Sequence, residues 1–320
     1  MEEMLGRKRG FRLGFAGPMH IYLPIAGQSV NAIFIILLGF AVGVLSGMFG
    51  VGGGFLTTPL LIFYGIPPTV AVASATTQIT GASVSGAMVH MRRGGVDLKM
   101  AAVMTVGGFF GSIVGVGVFR ALQMSGQIDV VISFLYVVIL GWIGFIMLKD
   151  ALIALAIIPS KESKKPPRHN RWIASLPLRW RFYTSGLYLS PVAPLVIGFA
   201  SGVLTVLLGI GGGFIIVPAM IYLLGMPARI VIGTSLAMVL AVSAATTMVH
   251  AITTRSVDIV LAGLLLVGGV IGAQYGAVLA LRIKPDLLRL ALAIVILLVG
   301  ARMLLGLAWR PDEIFSVEYL

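Results

Sequence analysis

The chain has 320 residues, of which 58% are hydrophobic and 11% are charged, and its mean hydropathy is +1.05. Soluble domains carry roughly 45–50% apolar and 25% charged residues, so this composition excludes a soluble globular protein and predicts an integral membrane protein. The net charge of +12 is concentrated in short connections, which indicates cytoplasmic loop ends and not a nucleic-acid surface.

Apolar stretches of about 20 residues recur along the chain, and each could cross the roughly 30 Å hydrocarbon core as a helix. They are Asn31–Met48, Val70–Met91, Met100–Phe119, Val130–Leu148, Val192–Leu208, Ile230–His250, Ile259–Leu281 and Leu287–Leu307. The predicted fold class is an all-α polytopic membrane protein with the lipid bilayer as its first partner. We expect a multi-pass protein of the plasma (inner) membrane.

The first apolar segment is interrupted by glycine. "FGVGGGF" at Phe49–Phe55 lies inside Asn31–Tyr64, whose 34 residues would measure about 50 Å as one helix, too long for a single span. A hairpin of two half-length helices that meet at the glycines fits this length best. Non-helical backbone survives at membrane depth only where protein buries it or where it lines a wet cavity, so the break predicts a cavity.

The broken segment opens a unit that the chain contains twice. "GVLSGMFGVGGGF" (Gly43–Phe55) and "GVLTVLLGIGGGF" (Gly202–Phe214) are identical at eight of thirteen positions, and weaker matches continue downstream. The predicted divisions are an N-terminal segment (1–29), transmembrane repeat 1 (30–158), a basic cytoplasmic connector (159–186), transmembrane repeat 2 (187–309) and a C-terminal tail (310–320).

Two orientations of the repeats are open. If each broken segment is a hairpin that returns to its starting face, the repeats have inverted topology, whereas a segment that crosses once makes them parallel. Under inversion Arg92, Arg93 and Lys99 share the cytoplasmic side with Arg229 and Arg289 of repeat 2. This charge bias and the length of the hairpin favour inversion.

The glycines themselves are the first candidate for a substrate site. A second helix begins after each break, at Phe55 and at Phe214, and a helix N-terminus offers unpaired N–H donors and roughly half a positive charge. Close helix packing is the alternative role of such glycines. Because the break is duplicated inside two overlong segments, we favour anion binding, at Gly50, Gly52, Gly53, Gly54, Gly209, Gly211, Gly212 and Gly213.

Hydroxyl and amide side chains gather in the helix after each break. Most Ser and Thr residues in such helices bond to their own backbone or tie helices together, whereas a buried Gln amide needs several partners. Both a structural role and substrate contact fit five of these residues, namely Thr76, Thr77, Gln78, Thr234 and Ser235.

Ionisable residues are rare within the predicted spans. No Lys, Arg, Asp or Glu lies centrally in any of them, which argues against a carboxylate proton relay. Asp97 and Asp258 begin one pair of equivalent helices and Asp129 and Asp286 begin another, and an N-cap role explains all four. His90 and His250 are the candidates for proton coupling, although packing at the membrane interface explains them equally simply.

Catalytic and metal-binding patterns are missing from the sequence. There is no cysteine, no HExxH motif and no nucleophile with a nearby base, so we expect no enzyme activity, no cofactor and no metal site. The GxxxG pairs Gly111/Gly115 and Gly272/Gly276 fit close helix crossing, either within the chain or in a homodimer.

The stretch "LSGMFGVGGGFLTTPLL" followed by "GIPPTVAVASATTQ", with its echo "GIGGGFIIVPAMIYLLGMPARIVIGTS", resembles the TauE/SafE family of sulfite and sulfonate exporters. The resemblance covers roughly Asn31 to Leu307. It implies a secondary carrier for sulfite, sulfoacetate or other small sulfur-containing or organic anions. The two glycine-rich motifs, within Gly43–Phe55 and Gly202–Phe214, and the Thr/Ser/Gln-containing helix after each would then line the substrate path.

The function that the sequence favours is therefore secondary transport of a small anion, by alternating access in which one repeat moves against the other. The resemblance alone indicates export. A proton or sodium ion is a candidate coupling ion. The rival hypotheses are an anion channel and a non-transporting membrane scaffold.

Overall fold

The computed structural model describes residues 20–49, 52–92, 94–155, 179–279 and 285–308. Within these residues ten α-helices and two β-hairpins follow one another in an order that repeats. The first half contains β1 (His20–Leu23), β2 (Gln28–Asn31), α1 (Ala32–Phe49), α2 (Gly54–Phe63), α3 (Pro68–Arg92), α4 (Leu98–Met124) and α5 (Ile128–Ala154). The second half contains β3 (Trp180–Phe182), β4 (Leu187–Leu189), α6 (Val192–Leu208), α7 (Gly213–Tyr222), α8 (Ala228–Val249), the π-helical turn His250–Thr254, α9 (Ile259–Leu279) and α10 (Pro285–Ala308).

The predicted helical character is confirmed, and each of the eight predicted apolar stretches contains or overlaps one long helix. Among the described residues, six helices are long and apolar enough to cross a membrane. The two short hairpins were not predicted, because each strand has only three or four residues and leaves too short a pattern to read. The second hairpin lies across the predicted division at residues 186 and 187.

Each glycine break separates a long helix from a short one, and not two half-length helices as expected. In the first half, α1 has 18 residues and α2 has 10. The short helix returns toward the start of the long one, since the Asn31 N–H donates to the Tyr64 hydroxyl at 3.3 Å and the Tyr64 ring stacks on Phe34 at 4.8 Å. In the second half, Leu224 after α7 shares a buried apolar cluster with Phe182 of the second hairpin.

Two helix pairs pack so closely that only glycine fits between their backbones. A Cβ on Gly47 of α1 would lie 2.1 Å from the carbonyl oxygen of Ala273 in α9, and one on Gly111 of α4 would lie 2.0 Å from that of Phe199 in α6. Glycine lets membrane helices approach at this distance. The GxxxG pairs therefore act within the chain, and each joins a helix of the first half to a helix of the second.

The direction of the helices follows from these and other contacts. Helices α1 and α9 run parallel, because Gly39 lies against Leu265 and Gly47 against Ala273. Helices α4 and α6 are parallel by the same reasoning, from the pairs Gly107/Leu195 and Gly115/Val203.

The equivalent helices α3 and α8 instead run antiparallel. Thr80 donates to Ser243 at 3.0 Å, and four residues earlier Thr76 accepts from Thr247 at 3.1 Å. Helices α5 and α10 are antiparallel too, since Gly144 lies against Ile296 and Leu297 while Gly300 lies against Leu140.

A buried aspartate at the start of a helix anchors each hairpin turn. Asp97 caps α4 by accepting from the Met100 N–H at 3.0 Å, and it also accepts from the N–H and hydroxyl of Ser185 at 3.1 and 2.7 Å. Asp258 caps α9 and accepts from the Ile25 N–H at 3.0 Å. The N-cap predictions for Asp97 and Asp258 are confirmed, whereas Asp129 lies inside α5, one residue after its first.

Candidate functional site

The two glycine breaks meet at the centre of the molecule. The Phe55 and Phe214 rings, which open the two short helices, are stacked with centroids 4.6 Å apart and planes 6° apart. A Cβ on Gly54 would lie only 2.3 Å from the carbonyl oxygen of Gly209. The two glycine-rich motifs are therefore in contact with each other, although about 160 residues separate them in the chain.

The backbone at each break takes conformations that favour glycine. Gly52 and Gly53 have φ of 85° and 72°, and Gly211 and Gly212 have φ of 70° and 72°. A left-handed conformation costs other residues roughly 1–2 kcal/mol each. Gly209 ends α6 in the same region, with φ of 65°. Gly50, also predicted to bind the substrate, lies outside the described residues.

The N–H groups that were expected to bind an anion are partly occupied by their own loop. The Gly54 N–H donates to the Gly52 carbonyl at 2.9 Å, and the Leu56 N–H donates to the Gly53 carbonyl at 3.1 Å. In the second break the Ile215 N–H donates to the Gly212 carbonyl at 3.0 Å. An anion at either helix N-terminus would have to replace such bonds or use the remaining donors.

Two equivalent aliphatic side chains close the space between the breaks. Ile79 of α3 and Val239 of α8 both lie within 3.3 Å of the Cβ positions of Gly52 and Gly211. Both side chains are fully buried. The breaks are therefore packed. Two surface cavities open at the two ends of α4, one lined by Lys99, Arg179, Trp180, Arg181 and Tyr183 and the other by Arg120, Gln123 and Met124.

Two buried serines beside the breaks have no hydrogen-bond partner among the described residues. The Ser201 hydroxyl of α6 lies 1.7 Å from the position that a Cβ on Gly212 would take, and the Ser83 hydroxyl of α3 lies 4.0 Å from that of Gly52. The exposed fractions of Ser83 and Ser201 are 0% and 1%. Burying an unpaired hydroxyl costs about 1–3 kcal/mol. These two groups are therefore available to a ligand that enters between the breaks.

A third polar group belongs to the first break alone. Thr57 of α2 donates to the Gln78 carboxamide oxygen of α3 at 2.7 Å, and both residues are buried. Their equivalents in the second half are Ile216 and Met238. Gln78 was predicted from the sequence, whereas Thr57 and Ser201 were not. A usable signal was present, because Thr57 lies four residues after Gly53 and Ser201 lies eight residues before Gly209, and helical residues at these spacings share one face.

The other predicted polar residues lie in different surroundings. The Thr76 hydroxyl accepts from Thr247 in α8 at 3.1 Å and donates to the Ala73 carbonyl of its own helix at 2.7 Å. The Thr77 hydroxyl is buried without a partner among the described residues. Thr234 accepts from the Asp97 N–H at 2.9 Å, and Ser235 donates to a carbonyl of its own helix at 2.9 Å. Thr234 and Ser235 thus have structural partners at the start of α4 and in α8.

The two candidate histidines differ in their surroundings. His250 is fully buried, and its Nε2 lies 3.1 Å from the Val206 carbonyl, which can only accept, so Nε2 carries the proton. Its ring also meets Phe119 edge-on at 4.9 Å. His90 is half-buried near the end of α3, where its carbonyl accepts from the Gly95 N–H at 3.0 Å.

Comparison with known proteins agrees with this architecture. A family model described as sulfite exporter TauE/SafE matches residues 35–303. A probable membrane transporter protein of Bacillus subtilis, YjnA, is 29% identical over 273 residues, which cover 85% of this chain and all of that protein. A probable membrane transporter protein of Xylella fastidiosa is 30% identical over 78% of this chain and 84% of its own length.

More distant relatives occur in plants. Sulfite exporter TauE/SafE family protein 1 of Arabidopsis thaliana is 29% identical over 107 residues, which cover 33% of this chain and 24% of that protein. No solved structure matches the chain.

Proposed function

The chain belongs to the sulfite exporter TauE/SafE family, and we propose that it is a secondary transporter of small sulfur-containing or organic anions, such as sulfite or sulfonates. The names of its relatives, which describe membrane transporters and sulfite exporters, support this substrate class. The family name is also what favours export.

The observation that carries the proposal is the pair of breaks with unpaired hydroxyls beside them. Two helix N-termini converge where Phe55 meets Phe214, and each offers a partial positive charge. The hydroxyls of Ser83 and Ser201 can replace part of the hydration shell of an anion. A small oxyanion bound there would satisfy groups that are otherwise buried without a partner.

The packing of the helices suggests which parts move in alternating access. Movement of one whole repeat against the other would separate the backbones of Gly47 and Ala273 in one pair and of Gly111 and Phe199 in the other. We therefore place the motion between the α1/α9 pair and the α4/α6 pair, with α3 and α8 between them. Separation of Ile79 from Val239 would then open the breaks to one side at a time.

Inverted topology of the two repeats is part of the proposal. It is supported by the antiparallel course of α3 and α8 and of α5 and α10, together with the return of each short helix toward the start of its long partner. We place the protein in the plasma (inner) membrane with the basic connector (159–186) in the cytoplasm. A homodimer and coupling to a proton or sodium ion remain proposals as well.

Proton coupling through His250 would use the second nitrogen of its ring. Its Nε2–H donates to the Val206 carbonyl in α6, next to the second break. A proton taken up at Nδ1 could donate to the Thr254 hydroxyl oxygen at 3.2 Å while that hydroxyl donates to the His250 carbonyl.

The proposal is tested by uptake of labelled sulfite into proteoliposomes, with sulfoacetate, sulfate and thiosulfate as competitors. A carrier gives saturable uptake and counterflow, as expected for breaks that are packed shut. Indifference to all four anions would contradict the sulfur-anion assignment, and single-channel currents would support the rival anion channel.

Serine variants separate transport from packing. Ser83→Ala and Ser201→Ala remove hydroxyls that have no partner among the described residues, so the fold should be retained. If each hydroxyl binds the anion, half-saturation should require about tenfold more sulfite, since a hydrogen bond to a charged group contributes about 1.5–3 kcal/mol. Ser133→Ala is the control, because the Ser133 hydroxyl donates to the Asp129 carbonyl at 2.9 Å in an exposed hydrogen bond within α5. Unchanged uptake by both variants would favour a scaffold or a different path.

A further inference from the structure

A basic pocket lies beside the second hairpin, at the first turn of α4. Its volume is about 310 Å³, and it is lined by Lys99, Arg179, Trp180, Arg181 and Tyr183. Lys99 is the second residue of a helix that is long enough to span the membrane. The pocket therefore lies at one end of a span, where a membrane has its headgroups.

The anchor of the hairpin holds the cations of the pocket together. Asp97, directly before α4, binds Ser185 in the turn of the hairpin through the N–H and the hydroxyl. This fixes β3 against α4, and the Lys99 ammonium reaches the Arg181 carbonyl at 3.4 Å. Asp97 is 1% exposed and its oxygens accept from the backbone and from Ser185. Three hydrogen bonds therefore compensate its negative charge, and its carboxylate does not line the pocket.

Aromatic rings flank the cations. The Lys99 ammonium lies 5.1 Å from the centroid of the Trp180 ring, and the Arg181 guanidinium lies 5.8 Å from that of Tyr183. Trp180 is 44% exposed and Tyr183 is 79% exposed. Trp and Tyr are enriched at both membrane interfaces, where their amphipathic rings lie among the headgroups. Leu98, next to Lys99, is 61% exposed and offers an apolar contact on the same turn.

The first hairpin has the same anchor but lacks this set of cations. Alignment of the two hairpins on their turn glycines, Gly27 and Gly186, places His20 and Tyr22 opposite the two arginines. Alignment of Asp97 with Asp258 places Val260 opposite Lys99. Since the fold of the hairpin does not require the three cations, their presence in one copy calls for a separate explanation.

We propose that this pocket binds the phosphate of an anionic phospholipid headgroup. Basic pockets beside membrane helices bind such headgroups, and each Lys or Arg near the surface contributes about 1 kcal/mol. Lys99 and Arg181 bind the phosphate oxygens, while Trp180 and Tyr183 lie against the glycerol and the upper acyl chains. A free oxyanion has the same charge but would make no use of the exposed rings and Leu98. The proposal does not depend on which anion the protein transports.

The test is native mass spectrometry of the full-length protein in a mild detergent, titrated with phosphatidylglycerol or with phosphatidylcholine. The variant Lys99→Gln/Arg181→Gln removes two positive charges but keeps the backbone carbonyl of residue 181 and the aromatic rings of Trp180 and Tyr183. We expect wild-type protein to prefer phosphatidylglycerol, and the double variant to bind it about 25-fold more weakly, at about fivefold for each cation. The control is Arg302→Gln, which removes a guanidinium that lies 5.2 Å from the Phe63 ring in another part of the molecule.

Three results would overturn the proposal. One is equal binding of the two lipids by wild-type protein, and another is a double variant that binds phosphatidylglycerol as tightly as Arg302→Gln does. The third is displacement of the lipid by millimolar inorganic phosphate or sulfite in wild type but not in the double variant, because that would identify a site for free oxyanions. Sulfite uptake in proteoliposomes is measured separately, so loss of transport with lipid binding intact bears only on the proposed function.

Discussion

The two glycine breaks share one backbone but differ in their polar side chains. Both have successive glycines with positive φ, and their phenylalanines stack on each other. The first break has the hydrogen bond between Thr57 and Gln78, whereas apolar residues stand at both positions in the second. The second break has the unpaired Ser201, where Val42 stands beside Gly53 in the first.

The repeated glycines therefore specify the backbone shape of both breaks, whereas the surrounding side chains give each break its own chemistry. A symmetric backbone provides two equivalent helix N-termini. The asymmetric hydroxyl and amide groups give the two sides of a bound anion different partners. Substitutions at equivalent positions of the two breaks should therefore have unequal effects.

The largest effect is expected where the two breaks touch. A methyl group in Gly54→Ala would lie 2.3 Å from the Gly209 carbonyl oxygen and 2.1 Å from Cδ1 of Ile79. Because backbone cannot move aside cheaply, we expect a loss of about 3 kcal/mol in the free energy of unfolding, measured by denaturation in detergent. Gly141→Ala in α5 is the control, since nothing lies within 4 Å of its Cβ position. Equal stability of the two variants would show that the breaks do not touch.

The next effect compares Gly212→Ala with Gly53→Ala. Both place alanine at φ of 72°, which costs roughly 1–2 kcal/mol. Only Gly212→Ala also collides with a hydroxyl, that of Ser201 at 1.7 Å. Its melting temperature in detergent should therefore be the lower of the two, and adding Ser201→Ala should remove the difference. A Gly53 variant that is the less stable one would contradict the described asymmetry.

A smaller effect is expected from the hydrogen bond of the first break. Thr57→Val removes the donor to Gln78 and leaves a buried amide oxygen unpaired, so unfolding should become easier by about 1–2 kcal/mol. The double variant Thr57→Ile/Gln78→Met copies the second break and should recover most of this stability, because both polar partners are replaced together. If the double variant is less stable than Thr57→Val, the apolar copy does not pack in the first break.

The smallest effect is expected at two equivalent serines of α3 and α8. Ser83 has no partner among the described residues, so Ser83→Ala removes a buried unpaired hydroxyl and should raise the free energy of unfolding by up to about 1 kcal/mol. Ser243 accepts from Thr80 at 3.0 Å, so Ser243→Ala should cost about 1 kcal/mol. The two melting temperatures, measured side by side, check this, and a strongly destabilised Ser83→Ala would reveal a partner of that hydroxyl.

Much of the fold was predictable because its signals are local in the chain. The length and apolarity of the segments located the eight long helices, and the glycine-rich motifs located both breaks. The position of Asp97 before an apolar run predicted its N-cap role. The hairpins were missed because strands of three or four residues leave a weak pattern. The unequal lengths of α1 and α2 were missed because composition does not show at which depth a break lies.

The candidate site was only partly predictable, because its partners come from distant parts of the chain. Gln78 was named, but its donor Thr57 was found only through the crossing of α2 and α3. Thr234 was a candidate for substrate contact, yet its hydroxyl accepts a hydrogen bond from the Asp97 N–H, 137 residues away. A hydroxyl in a membrane helix has the same sequence signature whether it binds its own carbonyl, a neighbouring helix or a ligand.

By itself, the sequence determined that this is a helical membrane protein that contains the same glycine-rich motif twice. It also showed a resemblance to one transporter family. It did so because apolar length, glycine content and repetition are properties of consecutive residues. Only the tertiary structure decided that the two breaks touch, that the GxxxG pairs join the two halves of the chain, and that Ser83 and Ser201 lie beside the breaks with no partner in the part of the chain that the structure describes. Such contacts depend on how helices far apart in the chain pack, and burial and hydrogen bonding exist only once that packing is complete.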